Sequence, residues 1–155
     1  MKLEFGGEYF FAPGAEGAVR IERHERKGRI LVATKEIAVG EVVLSEAPLA
    51  RVSLDTSDAC SRLLEMEGSW ESSLRFPAVF YWAALQSLSL SAEELQLMRQ
   101  LEGKAEVSDA VLWLLGEMNL KVMAEDLERA LQIWIFNSLK QEEFLMLPLL
   151  MAPSS

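Results

Sequence analysis

Residues 28 to 49 read Gly-Arg-Ile-Leu-Val-Ala-Thr-Lys-Glu-Ile-Ala-Val-Gly-Glu-Val-Val-Leu-Ser-Glu-Ala-Pro-Leu. Two aliphatic runs in this stretch, at residues 29–34 and 42–44, are typical of β-strands. Gly40 lies between them and can adopt the positive φ angle that closes many tight turns. Pro48 follows the second run and marks its end, because proline cannot donate a hydrogen bond within a central strand. The stretch therefore predicts two short strands around a turn.

The neighbouring residues extend this β-rich region to about residue 54. Residues 18–23 alternate apolar and charged side chains, which is typical of a half-buried strand. Residues 49–54 predict one further strand, at the edge of a sheet. The N-terminal part is thus expected to consist of antiparallel β-hairpins.

From residue 57 onward the apolar side chains recur with a helical period, which predicts five helices. A capping box at Ser91 and Glu94 gives the clearest helix start. Leu112, Trp113 and Leu115 are expected in the core. The predicted helices are 57–67, ended by Gly68; 76–88, with Pro77 in its first turn; a third from Ser91 to Gly103; 107–118; and 123–139, with Leu127, Leu131, Trp134 and Ile135 as its apolar stripe.

Strands first and helices second predict an α+β fold. No repeat or linker divides the 155 residues, so a single domain is expected. It comprises a β-rich part at residues 1–54, a helical region at 55–143 and an apolar tail at 144–155.

The composition excludes several classes of site. The chain carries 24 acidic and 15 basic residues, a net charge of −9, and its basic residues are scattered along the sequence. We therefore expect no nucleic-acid binding, whereas a basic protein partner is compatible with the charge. The single cysteine, Cys60, excludes an internal disulfide and a zinc site built from several thiolates. No metal site is predicted around the single histidine, His24, which is expected at the surface, and the cysteine usage fits a reduced, intracellular compartment.

Neither a secretory signal nor a membrane span is expected. Glycines and glutamates interrupt the first eleven residues, so no apolar signal core forms there. The most apolar tract, residues 144–152, is too short to cross a bilayer and contains Pro148.

The stretch from Gly28 to Leu49 is similar to the opening of a SET domain, the fold of most protein-lysine methyltransferases. SET domains commonly begin with Gly-x-Gly, followed by Ala-Thr/Ala-Arg/Lys-Asp/Glu-Ile, a turn with Gly-Glu, an aliphatic strand and Glu-x-Pro-Leu. The matching residues occur in the same order: Gly28, Ala-Thr-Lys-Glu-Ile at 33–37, Gly-Glu at 40–41, Val-Val-Leu at 42–44 and Glu-Ala-Pro-Leu at 46–49.

A second, shorter similarity lies at Asn137 and Ser138, which follow the predicted helices. SET proteins of the subgroup that usually carries a MYND zinc finger have an Asn-Ser/Ala-Phe segment after a long helical insertion. The Cys/His series of that zinc finger does not occur in this sequence. The chain therefore resembles this subgroup without its zinc finger.

The resemblance implies S-adenosylmethionine as cofactor and a protein lysine as methyl acceptor. It places the backbone at Lys27, Gly28 and Arg29 and the side chain of Asn137 on the cofactor side, with Ile30 at the position of the family's second glycine. The family's Asn-His-x-Cys-x-Pro-Asn segment and its later catalytic tyrosine do not occur in this sequence. We therefore expect an incomplete SET domain, assign no catalytic residue, and expect no methyl transfer by this chain alone. The cytoplasm and the nucleus are the compartments that the resemblance implies.

Two alternatives remain open. The SAF domain of sialic acid synthases contains a similar Val-Ala-x-Lys-Asp-Ile-x-x-Gly-Glu-Val segment, although residues 46–49, the helical region and Asn137-Ser138 favour the SET domain. Alternatively, the chain is a non-catalytic interaction or regulatory module. Its helices and apolar tail would then dock onto another protein, or the tail would mediate self-association.

Overall fold

The computed structural model describes residues 4–5, 9–10, 18–43, 45–46, 50–101, 106–141 and 144–147. Within these residues the fold is mixed α and β, as predicted. The strands are β1 (Glu4–Phe5), β2 (Tyr9–Phe10), β3 (Val19–His24), β4 (Gly28–Ala33), β5 (Ser45–Glu46), β6 (Ala50–Ser53), β7 (Leu139–Gln141) and β8 (Phe144–Leu147). The helices are α1 (Asp58–Glu67), α2 (Ala78–Ser87), α3 (Ala92–Met98), α4 (Asp109–Glu117) and α5 (Ala124–Asn137).

Strands β3 and β4 form an antiparallel hairpin whose register runs from Val19 opposite Ala33 to His24 opposite Gly28. The turn is closed in part by His24, whose Nδ1 accepts the backbone N–H groups of Arg26 (3.2 Å) and Lys27 (3.3 Å). Gly28 follows with a φ of 72°, a left-handed conformation that favours glycine. The predicted strands at 18–23 and 29–34 are thus confirmed, and His24 is exposed at the surface as expected.

The predicted pairing of the second strand, across the turn at Gly40, is wrong. Gly40 does adopt a positive φ of 83°, and the Glu41 N–H donates to the Ala38 carbonyl oxygen at 3.1 Å. The Glu41 carboxylate also accepts from the Ala38 N–H at 3.0 Å, so this segment satisfies its polar groups locally. Residues 41–43 are not in a strand, and Val42 is 59% exposed. The next strand is β5, which pairs with β2 rather than with β4.

Four of the strands form one antiparallel sheet in the order β1-β6-β8-β7. The predicted edge strand at 49–54 is therefore an inner strand: β6 lies between β1 and β8, with Ala50 and Val52 fully buried. The beginning of the predicted apolar tail is also part of the sheet, because residues 144–147 are β8 and the Leu145 side chain is fully buried. Residues 148–155 lie outside the described residues, as do Pro48 and Leu49.

The helix starts follow from local side-chain chemistry. The predicted capping box is confirmed: the Ser91 hydroxyl accepts from the Glu94 N–H at 3.2 Å, and the Glu94 carboxylate accepts from the Ser91 N–H at 3.0 Å. Ser57 and Ser108 also cap α1 and α4, where the serine hydroxyl accepts the N–H of Cys60 and of Val111 respectively. Helix α1 ends at Gly68 as predicted, whereas the predicted stop at Gly103 lies outside the described residues and α3 ends at Met98.

Two other predicted features of the helices differ from the structure. Helix α5 ends at Asn137 rather than at residue 139, because Ser138 is extended (ψ 153°) and leads directly into β7. Leu112 was predicted in the core but is 54% exposed, whereas Trp113 and Leu115 pack against the core as half-buried side chains. Helix α4 presents the neighbouring Val111 and Leu114 to the interior instead.

Helix α2 is the centre of the core. Seven of its ten residues are buried, so it has no wide polar face and must be covered by other elements. It packs against α1, α5, β6 and β8, and the Trp82 indole N–H donates to the Ser53 carbonyl oxygen of β6 at 3.1 Å. On α5 the predicted stripe is confirmed, with Leu127, Leu131 and Trp134 buried and Ile135 half-buried.

Candidate functional site

The first predicted cofactor segment lies at the tip of the β3–β4 hairpin. Lys27 and Gly28 are exposed there, and Arg29 is the second residue of β4. A Cβ atom added to Gly28 would meet no heavy atom of the described residues within 4 Å, and its positive φ fits a role in the turn conformation. Ile30, at the position of the family's second glycine, is half-buried.

The second predicted cofactor residue, Asn137, is the last residue of α5. Its side-chain Nδ2 donates to the Ile133 carbonyl oxygen at 2.9 Å, which fixes the amide against the last helical turn. Among the described elements the β3–β4 hairpin pairs mainly within itself and has no extensive packing with α5. The assignment of these four residues to a cofactor site therefore stays a prediction.

A cleft of about 350 Å³ lies elsewhere in the fold, where the start of α4 meets the middle of α5. We call it the α4–α5 cleft. Val107 and Phe136 contribute apolar surface, and the charged groups come from three segments of the chain. The lining residues are Arg75, Glu106, Val107, Ser108, Asp109, Glu128, Gln132 and Phe136.

Glu128 is the buried acid of this cleft, and its side chain is held by three hydrogen bonds. Its exposure is only 1%. One carboxylate oxygen, Oε2, accepts from the Ser108 hydroxyl at 2.8 Å and from the Ser108 backbone N–H at 3.2 Å. The other, Oε1, accepts from Gln132 Nε2 at 2.7 Å. These bonds join α5 to the N-terminus of α4 and fix the position of the carboxylate.

Ser108 has two tasks in this arrangement. While its hydroxyl donates to Glu128, the same oxygen accepts the Val111 N–H at 3.3 Å and so caps α4. A serine nucleophile would need a base that takes its proton and an oxygen that is open to a substrate. Since the hydroxyl is committed on both sides, the Ser108–Glu128 pair is a structural connection between two helices and does not resemble a hydrolase site.

Among the described residues that line the cleft, three are acidic and one is basic. Within the described parts of the chain, no Lys, Arg or His forms an ion pair with Glu128, although Arg75 lines the same cleft. Glu106 and Asp109 are exposed on its rim. Buried charges in proteins are usually paired, because hydrogen bonds replace only part of the lost hydration. The α4–α5 cleft therefore has a net negative character.

Tyr81 of α2 responds to the same environment. Burial raises the pKa of Tyr81 above its ordinary value, and the negative charge of Glu128 raises it further, whereas hydrogen bonds from the backbone of Arg75 and Phe76 act in the opposite direction. The Arg75 N–H donates to the phenol oxygen at 3.2 Å. The segment that contributes Arg75 to the cleft is thus attached to the core through Tyr81.

Sequence reasoning did not single out Glu128. The available signal was its spacing, since Glu128, Gln132 and Phe136 recur at i, i+4 and i+8 beside the apolar stripe of α5. A polar residue next to a buried stripe is usually solvent-exposed. Here the start of α4 covers Glu128, whereas Phe136 stays 65% exposed. No local pattern predicts that the Ser108 cap would pack on residue 128.

The other chemical groups give no reactive site among the residues that the structure describes. Cys60 is fully buried, and its sulfur accepts the Asp55 N–H at 3.4 Å. No group of three or more His, Cys, Asp or Glu side chains in those residues is arranged to hold a metal ion. None of the described helices is both long enough and apolar enough to cross a bilayer.

Comparison of the sequence with protein-family models and with curated proteins found no match.

Proposed function

We propose that the chain is the N-terminal part of a SET-type protein methyltransferase, a class that transfers a methyl group from S-adenosylmethionine to a protein lysine. The sequence similarity at residues 28–49 suggests this class. The observation that carries the proposal is topological: β6 and β8 pair directly, with Ala50 opposite Leu147 and Ser53 opposite Phe144. All five helices of the described residues lie between these two strands in the sequence, as expected for a helical insertion within a β domain.

In this proposal the backbone at Lys27, Gly28 and Arg29 and the side chain of Asn137 contribute to cofactor binding. S-adenosylmethionine would supply the methyl group. Methyl transfer depends on in-line alignment of the lysine amine with the methyl sulfonium. The family's segments that provide this alignment do not occur in this sequence, and we propose that the chain alone is inactive.

Nuclear magnetic resonance tests the cofactor assignment, because it detects weak binding at individual residues. The ¹⁵N-labelled chain is titrated with S-adenosylmethionine up to about 1 mM, a concentration that reveals an affinity of about −4 kcal/mol. We expect the backbone signals of Lys27, Gly28 and Arg29 to shift together with the Asn137 side-chain signal, and Asn137→Ala to reduce the shifts at the hairpin tip. Unchanged signals at both segments would contradict cofactor binding by these residues.

A second candidate function, a non-catalytic interaction module, is favoured by apolar side chains exposed on the helical region. Met123 and Phe136 are each 65% exposed, and Leu112 is 54% exposed. The tail residues 144–147 do not support this candidate, since they form β8 within the sheet. The test of this interaction module is whether a basic peptide binds to the helical region in the absence of S-adenosylmethionine.

A further inference from the structure

We propose that the tip of the β3–β4 hairpin, residues 23–29, binds an acidic segment of a partner protein. We call these residues the basic tip. The proposal goes beyond methyl transfer, because it requires no cofactor. It rests on a local reversal of charge: the whole chain has a net charge of −9, whereas residues 23–29 contain four basic residues and one acidic residue. A basic patch on an acidic molecule produces a directed field, which orients a partner of opposite charge.

The basic side chains of this tip are accessible to a partner. Arg23, Arg26 and Lys27 are exposed, and none of them forms an ion pair within the part of the chain that the structure describes. By contrast, Arg20, lower on the same hairpin, is paired with Glu22 at 2.5 Å. Three exposed cations that have no counter-charge among the described residues therefore lie within a short stretch of the chain.

The hairpin also holds like charges at fixed positions. Its register places Arg23 directly opposite Arg29. Like charges at opposite positions destabilise an antiparallel pair, so a bound anion would relieve an unfavourable arrangement. The turn itself is fixed by His24, whose Nδ1 accepts the N–H groups of Arg26 and Lys27 at 3.2 and 3.3 Å. The basic tip is thus formed without a partner, which lowers the entropic cost of binding one.

The surface next to the basic tip indicates what kind of segment fits. Alternate residues of a strand share a face, so the register places Leu31 on the same face as Arg23, at the diagonal position across the strands. Leu31 is 43% exposed, and Ala33 is exposed two residues further along β4. A segment that combines carboxylates with an apolar side chain matches both features.

Other anionic ligands fit less well. A nucleic-acid interface often neutralises about 6–10 phosphates, which is more than the three exposed cations can supply. The net charge of −9 also repels an extended polyanion or an anionic bilayer. A small free anion is usually held in a concave pocket, whereas residues 23–28 are all exposed. Charge complementarity therefore favours a protein segment that carries its own carboxylates.

The test is a titration of the ¹⁵N-labelled chain with the blocked peptide Glu-Glu-Leu-Glu-Glu, with Gln-Gln-Leu-Gln-Gln as its uncharged control. We expect the glutamate peptide to shift the backbone signals of Arg26 and Lys27, and the glutamine peptide to leave them unchanged. The double variant Arg23→Gln/Arg26→Gln should weaken binding about fivefold, as expected for the loss of two exposed ion pairs. Lys121→Gln/Arg129→Gln is the matched control. It removes the same charge at exposed positions outside the hairpin and should change the affinity less than about twofold.

Circular dichroism verifies that each variant is folded. Arg23→Gln removes one of two like charges at opposite positions, so the hairpin variant should fold as well as the native chain. Equal shifts with the glutamate and glutamine peptides would overturn the proposal, as would unchanged affinity in the hairpin double variant. Inorganic phosphate and a single-stranded oligonucleotide are further arms of the titration. Tighter binding of either one than of the glutamate peptide would also contradict a protein segment as the ligand.

This proposal and the cofactor assignment fail separately. The glutamate peptide should leave the Asn137 side-chain signal unchanged, whereas S-adenosylmethionine is expected to shift it. Arg23 and Arg26, which the double variant changes, lie outside the residues assigned to the cofactor. Loss of peptide binding in that variant therefore leaves the cofactor titration as an independent measurement.

Discussion

The hydrogen bond between the Trp134 indole and the Ser87 hydroxyl permits a sharp prediction about stability. Trp134 Nε1 donates to Ser87 Oγ at 2.8 Å, and Ser87 in turn donates to the Ala83 carbonyl oxygen at 2.7 Å. Both side chains are fully buried, and they join α2 to α5 at the centre of the core. Ser87→Ala would therefore leave the indole N–H buried without an acceptor and out of reach of water.

The expected loss of stability follows from burying the indole N–H without an acceptor. A buried donor left unsatisfied costs about 1–3 kcal/mol, whereas loss of both partners of a hydrogen bond is nearly neutral for the bond itself. We expect Ser87→Ala to lower the free energy of unfolding by about 2 kcal/mol in the native background. In a Trp134→Phe background, which has no indole N–H, the same change should cost less than about 0.5 kcal/mol.

Urea unfolding followed by far-ultraviolet circular dichroism measures both values without relying on tryptophan fluorescence. Ser89→Ala is the matched control, because Ser89 is exposed just after α2, and it should change stability by less than about 0.5 kcal/mol. An equal cost of Ser87→Ala in the two backgrounds would refute the reasoning. That result would mean that the indole N–H finds another partner, or that the cost comes from packing alone.

Three further predictions concern other parts of the fold. Ser91→Ala should cost about 1 kcal/mol in urea unfolding through loss of a helix cap. Ser108→Ala should cost about 2–4 kcal/mol, because it removes a cap and also the hydroxyl that donates to buried Glu128. Equal costs would contradict the role assigned to the Ser108–Glu128 bond. Gly40→Ala should cost about 1–2 kcal/mol through its φ of 83°, since no atom of the described residues lies within 4 Å of the added Cβ. An unchanged urea midpoint would argue against this turn. Burial raises the pKa of Tyr81 above its ordinary value of 10.0, so folding favours the protonated phenol. The free energy of unfolding should therefore fall as the pH rises above about 10, and Tyr81→Phe should lessen that fall.

The helices could be predicted from sequence because their signals are local. The Ser91–Glu94 capping box needs only four consecutive residues, and the stripe of Leu127, Leu131 and Trp134 lies within one helix. Such features depend on hydrogen bonds and periodicity inside a single element. Leu112 was misassigned because an apolar residue on an amphipathic helix is buried only if another element covers its face, and that is a tertiary property.

The sheet could not be predicted in the same way, because its pairings join distant segments. Gly40 was recognised as a turn residue, yet the strand before it pairs upstream with β3 and the strand after it pairs with β2. A turn glycine does not specify which strands it joins. Likewise, residues 144–147 form β8, an inner strand between β6 and β7, and sequence alone could not distinguish such a strand from an apolar tail.

Of the two candidate sites on helix α5, one rests on a sequence motif and the other on tertiary packing. Asn137 was proposed from a short motif, whereas Glu128 became visible only when α4 was seen to pack on α5. The two residues are nine positions apart on one helix, so their Cα atoms are separated by about 14 Å along its axis. Trp134 lies between them and fixes this helix to α2 through Ser87. Because Trp134 joins α5 to α2 between the two positions, the placement of the α4–α5 cleft relative to Asn137 is set by this one helix.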